Sequence, residues 1–177
     1  MTYQEISRQQ TTCRTSSEQL VDILKIQSQA LLAAHEFLNK EGIIQLMPVI
    51  LSPITDPLNH PGHDASIEYL GQRLQITISM ILHKQIAISQ LNARGVYIVS
   101  PNVRLEKGIR SDRHLLEFSQ LDIEIERMKA KEFRSFIEHL IIHIFSRVRD
   151  TCSREFAALG AEIRIPKSPF RVYSSWD

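Results

Sequence analysis

Residues 102–126, NVRLEKGIRSDRHLLEFSQLDIEIE, constrain the fold more than any other stretch. Polar and aliphatic side chains alternate on both sides of a short basic loop, and strand side chains point to opposite faces with period two. Ser100, Asn102, Arg104 and Glu106 therefore share one face of a first strand, and Val99, Val103 and Leu105 share the other. In a second strand Phe118, Gln120, Asp122, Glu124 and Glu126 face one way and Leu121, Ile123 and Ile125 the other. A helical period would scatter both sets. The pattern predicts a hairpin of Val96–Glu106 and His114–Glu126, turning through Lys107, Gly108, Ile109, Arg110, Ser111 and Asp112. With the apolar faces packed on helices, the polar faces would form the floor of a cleft.

The remaining chain supplies those helices. Ser16 with Gln19 fits a capping box, and Leu20, Ile23, Leu24, Leu31, Ala34, Phe37 and Leu38 recur at helical spacing until Gly42, placed to end the helix in a left-handed conformation. Residues 1–15 read as a polar tail. Ile43 to Ile50 is aliphatic but contains Pro48, so this strand should pair at an edge or through its proline-free part. Ser52–Ala65, with three prolines, a glycine, two histidines and two aspartates, is a loop. Ile67–Ile78 predicts short strands around Gly71, and Ser79–Asn92 a helix closed by Gly95. A long helix is predicted from Ala130 to Phe156, with Phe133, Phe136, Ile137, Leu140, Ile141, Ile144, Phe145 and Val148 on an apolar arc. Ala161, Ile163 and Ile165 alternate before Pro166 and suggest a short terminal strand.

At 177 residues the chain fits one domain that buries roughly 70% of its unfolded surface. A net charge of +1 gives no bulk field to attract nucleic acid or a membrane surface. Cys13 and Cys152 lie far apart, outside any zinc or redox spacing, and the cytosol is the default expectation. No run approaches the ~18 apolar residues of a membrane span.

The polar hairpin face carries the chemistry. An arginine fork binds a phosphate by two parallel bonds, and Phe118 offers a ring for a base. The residues thus suit a planar, phosphate-bearing ligand such as ATP.

The string from Arg104-Leu105-Glu106 through Arg113-His114-Leu115 to Glu117-Phe118-Ser119-Gln120-Leu121-Asp122 resembles motif 2 of class II aminoacyl-tRNA synthetases, in the aspartyl and asparaginyl branch. Gly42-Ile43-Ile44-Gln45-Leu46-Met47-Pro48 resembles motif 1, which builds the dimer interface of that family. Ser79-Met80-Ile81-Leu82-His83-Lys84-Gln85 resembles the segment that meets the amino acid, with Met80 and Ile81 standing where that segment has Pro and Gln. Together with Leu51–Leu58, these segments look most like archaeal asparagine-synthetase-related proteins. The resemblance begins near residue 17. It implies an α+β fold, an antiparallel sheet of the class II synthetase type flanked by helices, from residue 16 to 177.

The resemblance also implies roles. Arg104 would hold the α-phosphate as the catalytic residue. Glu106 would accept from the adenine amino group, Arg113 and His114 would meet the outer phosphates, and Phe118 would stack on the base. Ser79, Lys84, Gln120 and Asp122 would contact aspartate. The implied reaction is ATP-dependent formation of aspartyl-adenylate by a homodimer joined through motif 1. Magnesium is implied too, but its acids lie near motif 3, so no metal ligand is named. An anticodon-reading barrel is expected to be missing and motif 3 is expected beyond residue 177, so the chain is expected to be the N-terminal part of a catalytic domain and tRNA is not an expected partner. A non-catalytic paralogue or fragment, binding nucleotide or amino acid or serving as a dimerisation module, is the alternative.

Other candidates are weaker. Glu138, His139 and His143 include the i, i+4 spacing of helix-borne metal ligands, but no third ligand is in view, and polar residues on the wet side of an amphipathic helix account for them. His60, His63 and Asp64 sit in the proline-rich loop, which in the resembling family closes over the aminoacyl site. His35 is expected to be packed or partly exposed on the first helix.

Overall fold

A computed structural model describes residues 17–55, 62–106 and 115–173. They fall into two compact units, one of residues up to Phe37 with those from Lys131 onward, the other of Leu38–Ala130. Ser16, His60, Arg113, His114 and the whole predicted turn 107–112 lie outside the described residues.

The first helix, α1, spans Ser17–Lys40. It stops where predicted: Gly42 takes a φ of 72°, its N–H bonds the carbonyl of Asn39 at 3.0 Å, and the Ile43 N–H bonds that of Leu38 at 2.9 Å. This paired closure satisfies two orphan carbonyls and needs a left-handed residue. Ala33, Ala34 and Leu38 are buried, whereas Leu20, Val21, Ile23, Leu24, Leu31 and Leu32 remain exposed. In the same unit as most of α1, α3 runs Ala130–Thr151 and α4 runs Ser153–Ala158; the label α2 belongs to Ile81–Gln90 in the other unit. The single long helix predicted here is thus interrupted at Cys152, where φ is −120° and ψ is 26°. The ladder nearly runs through, from the Cys152 N–H to Val148 and from the Phe156 N–H to Cys152, so periodicity alone does not betray the break. Phe136, Leu140, Val148 and Cys152 are buried, and Phe37 meets Phe136 edge-on with ring centres 5.4 Å apart. Glu138 is buried too and accepts from the Ser168 hydroxyl at 2.8 Å, so it does not lie on a wet face as expected. Residues 161–173 form no strand; their alternation finds no described neighbour to pair with, and Pro166 and Pro169 remove ladder donors.

The second unit holds two three-stranded sheets. In one, β1 (Ile44–Gln45) pairs in parallel with β5 (Gly95–Val103), which pairs antiparallel with β6 (Glu117–Ile125). Pairing of the strand that precedes Pro48 stays in its proline-free part, as expected, and continues with the Leu46 N–H to the Tyr97 carbonyl. In the other, β4 (Gln72–Ile76) lies between β2 (Leu51–Ser52) and β3 (Ser66–Tyr69), all antiparallel. The β3–β4 turn is Leu70-Gly71, both at positive φ, 49° and 73°, the turn whose twist matches a two-residue hairpin. The buried Thr77 joins the sheets. Its N–H and hydroxyl both reach the Ile50 carbonyl, and its own carbonyl accepts from the Val103 N–H at 3.0 Å.

Helix α2 is shorter than the predicted Ser79–Asn92 and ends before Gly95. Leu91 is extended (ψ 136°), which breaks the helix there. Gly95 instead opens β5 and serves close packing: a Cβ on it would lie 2.7 Å from the Glu124 carbonyl oxygen and 3.0 Å from Ile43 Cδ1.

Candidate functional site

Register decides whether the even-numbered side chains converge. Ile98 pairs with Asp122, Ser100 with Gln120 and Asn102 with Phe118, so even positions on β5 face even positions on β6. The predicted shared face exists, but it is not an open floor. Val96, Ile98, Ser100 and Asn102 are all fully buried, and α2 packs against both strands. Parity tells which residues share a side; it does not tell which side another element will cover.

Arg104 stands one residue beyond β5, held in place by its N–H to the Leu116 carbonyl at 3.0 Å. Its guanidinium lies over the Phe118 ring, 5.1 Å from the centroid, within the range of a cation–π contact. The Arg104 Nε is buried with no hydrogen-bond partner among the described residues. An unmatched buried donor is costly, and here it belongs to a fork suited to an oxyanion. Arg104 and Glu106 also line a cavity of about 280 Å³ with His63, Asp64 and Arg73. That is room for a phosphate-sized group, below the roughly 300–1,000 Å³ that encloses a whole cofactor. The Gly62–Asp64 wall is tied by backbone to the residues that follow Arg104: the His63 N–H bonds the Leu105 carbonyl at 2.7 Å, and Gly62 bridges Glu106.

Asp64 is spoken for within that wall. It accepts from Arg73 at 2.6 Å and from the Ser66 hydroxyl at 2.9 Å, and these bonds, Ser66 first and then Arg73, hold its pKa below the usual carboxylate value. Arg73 is thereby engaged, while the Arg104 Nε has no such partner.

The second cluster lies on the same face of β6. Lys84, 4% exposed, reaches from α2 to Asp122 Oδ1 at 3.2 Å. Asp122 Oδ2 is buried and lacks a partner among the described residues. Gln120 accepts through its Oε1 from Asn102 Nδ2 at 2.8 Å. Ser79 is buried just before α2, where its Oγ accepts from the Ile81 N–H at 3.2 Å, so this predicted substrate contact also shapes the helix start. The sequence-predicted residues thus assemble in two groups, Arg104 with Phe118 and Glu106, and Lys84 with Asp122.

The family model for tRNA synthetases of class II (D, K and N) matches residues 3–175. The chain belongs to the class II tRNA synthetase family. Within it, the chain is 29% identical over 151 residues to the aspartate–tRNA(Asp/Asn) ligase of Methanosarcina acetivorans, covering 84% of this chain and 32% of that protein. It is 31% identical over 156 residues to the enzyme of the same name from Methanopyrus kandleri, covering 84% and 34%. Among solved structures, the asparaginyl-tRNA synthetase of Pyrococcus horikoshii complexed with asparaginyl-adenylate superposes with a TM-score of 0.68 at 24% identity, over 79% of this chain and 31% of that one; the likeness is one of fold. The chain spans about a third of the length of these relatives. The relatives agree with the α+β class II synthetase core and the aspartyl/asparaginyl branch read from motif 2.

Two polar contacts of this class II domain escaped sequence reasoning. His83 Nε2 lies 3.0 Å from Ser52 Oγ, and His83 Nδ1 is buried without a partner among the described residues. Ser100 donates to Asn102 Oδ1 at 3.3 Å. Their partners are 31 and two residues apart; only the second pair had a sequence signal, the shared parity of positions 100 and 102. Among the described residues no group of three or more His, Cys, Asp or Glu could hold a metal ion, and no helix is long and apolar enough to cross a membrane.

Proposed function

We propose that this domain binds ATP and aspartate and joins them as aspartyl-adenylate, releasing pyrophosphate. The observation that carries the reading is the pairing of Arg104 with Phe118 on one sheet face, with a buried guanidinium nitrogen left unmatched. A carboxylate oxygen of aspartate attacks the α-phosphorus, and the bond to the β-phosphate bridging oxygen breaks. Charge develops on the α-phosphoryl oxygens, where a fixed arginine donor stabilises it. Glu106 accepts from the adenine amino group and Phe118 stacks on the base, while Arg113 and His114 meet the outer phosphates. Lys84 pairs with the aspartate side-chain carboxylate, Asp122 Oδ2 accepts from the α-amino group, and Ser79 and Gln120 complete the substrate contacts. Magnesium, when bound, would neutralise phosphate charge; among the described residues no set fits it as ligands. The exposed Ile44, Met47, Ile50 and Leu51 support a homodimer joined through the motif 1 region.

Aspartate-dependent exchange of labelled pyrophosphate into ATP tests the reading. Arg104→Ala should lower exchange by about 10²–10³-fold. Exchange indifferent to Arg104, or driven by an unrelated amino acid, refutes it. Supplying ammonium or tRNA after adenylate formation then identifies the acyl acceptor.

A further inference from the structure

A row of three polar side chains, buried at Ser100 and Asn102 and half-buried at Gln120, crosses the β5–β6 hairpin. Ser100 and Asn102 are both fully buried. The Ser100 hydroxyl donates to Asn102 Oδ1 at 3.3 Å, and Asn102 Nδ2 donates to Gln120 Oε1 at 2.8 Å. Nothing in a sheet core requires such a row, because aliphatic side chains would fill the space without desolvation cost. Its effect is directional. A free glutamine amide offers either an acceptor or a donor edge to a ligand. Here the carbonyl is consumed by Asn102 Nδ2, while the other end of the Asn102 amide, Oδ1, accepts from Ser100. The amide nitrogen of Gln120 donates to no described residue. On the same strand face, two residues along, Asp122 is bonded to Lys84.

We propose that Asn102 is a positioning residue that makes Gln120 a donor-only contact. Resting on the reading of Gln120 and Lys84 as substrate contacts, this selects a side-chain carboxylate over a carboxamide. A carboxylate oxygen accepts from both the ammonium and the amide nitrogen. A carboxamide turned to give Lys84 its oxygen presents its own NH₂ to the NH₂ of Gln120, two donors facing each other, and Gln120 cannot turn alone to relieve it without leaving Asn102 Nδ2 buried and unmatched; the Asn102 amide and the Ser100 hydroxyl would have to turn with it. The selected class is a short acidic amino acid.

The test compares aspartate and asparagine as competitors in binding to the 177-residue chain with a non-hydrolysable ATP analogue, followed by calorimetry. Asn102→Asp replaces the donor by an acceptor and should turn the Gln120 amide over; Ser100→Ala removes the hydroxyl that bonds Asn102 Oδ1 and loosens its hold on Gln120. The ratio of aspartate to asparagine affinity should fall about tenfold in Asn102→Asp, the scale of one charge-assisted hydrogen bond, and by a smaller factor in Ser100→Ala. A purely structural role would weaken both ligands equally and leave the ratio unmoved, which overturns the inference while the adenylation reading stands. Failure of the wild-type chain to bind either amino acid overturns both. The wild-type chain gives a further readout that needs no variant: in side-chain amide NMR, Gln120 NH₂ protons should exchange quickly and one Asn102 NH₂ proton slowly. Protected Gln120 protons would show the row running in the opposite direction and overturn the inference.

Discussion

Removing the Lys84 ammonium should leave Asp122 with both carboxylate oxygens unmatched in a site where its side chain is only 14% exposed. At 3.2 Å and an effective dielectric of roughly 20, the gross attraction is about 5 kcal/mol. Desolvation of both groups offsets much of it, so the pair contributes little net stability compared with apolar residues of the same shape. The cost of breaking it from one side is larger. Lys84→Met should destabilise the domain by about 3 kcal/mol, since the methionine fills the volume but strands the charge. Asp122→Asn should cost about 2 kcal/mol, because the carboxamide oxygen still accepts from Lys84 but the buried ammonium loses its counter-charge. With both changed, neither charge remains and only a neutral carboxamide is short of partners, so the double variant should cost about 2 kcal/mol, less than Lys84→Met alone, a coupling of about 3 kcal/mol. Urea midpoints at constant slope read these differences, and thermal midpoints should fall by about 2–4 °C per kcal/mol for a chain of this size. Additivity within about 0.5 kcal/mol would refute the reasoning.

Three further outcomes follow from the geometry. Gly95→Ala forces a Cβ to within 2.7 Å of the Glu124 carbonyl oxygen, so it should destabilise by about 1–3 kcal/mol; a neutral result in urea titration would mean the strands separate without strain. Leu70→Asn should stabilise by about 0.5–1 kcal/mol, because an exposed leucine held at a φ of 49° gains nothing from its side chain and asparagine tolerates that conformation; a lower melting temperature would contradict the turn. The Asp64 carboxyl should titrate below its ordinary value by NMR and rise towards it in both Ser66→Ala and Arg73→Gln. Since its folded pKa is depressed, the stabilisation linked to it is present above the unfolded value and lost as pH falls through the folded one; an Asp64 titration indifferent to both substitutions would deny the contacts.

The hairpin and its parity were legible because period-two alternation is a local property, and the end of α1 was legible because a glycine after an amphipathic run has few other uses. What the sequence hid was non-local. That the even face of β5 is buried depends on α2 lying over it, and nothing at positions 96–102 announces which side a helix 10 residues long will cover. The interruption at Cys152 preserves both the apolar spacing and most of the hydrogen-bond ladder, so it leaves no trace in the pattern. Gly95 reads as a helix terminator from its position, whereas its reason for being glycine is a carbonyl 29 residues away on β6. The alternation of Ala161, Ile163 and Ile165 misled in the opposite direction: a strand needs a partner as well as a pattern. In the candidate site, Lys84 and Asp122 could be placed together only through family likeness, because a helix and a strand 38 residues apart share no spacing rule.

A primary amine as enclosed as Lys84 has a chemical signature of its own. Acylating reagents that label surface lysines within minutes should pass it by while the native state persists. Its first appearance among the labelled peptides would then time the parting of α2 from the β5–β6 hairpin.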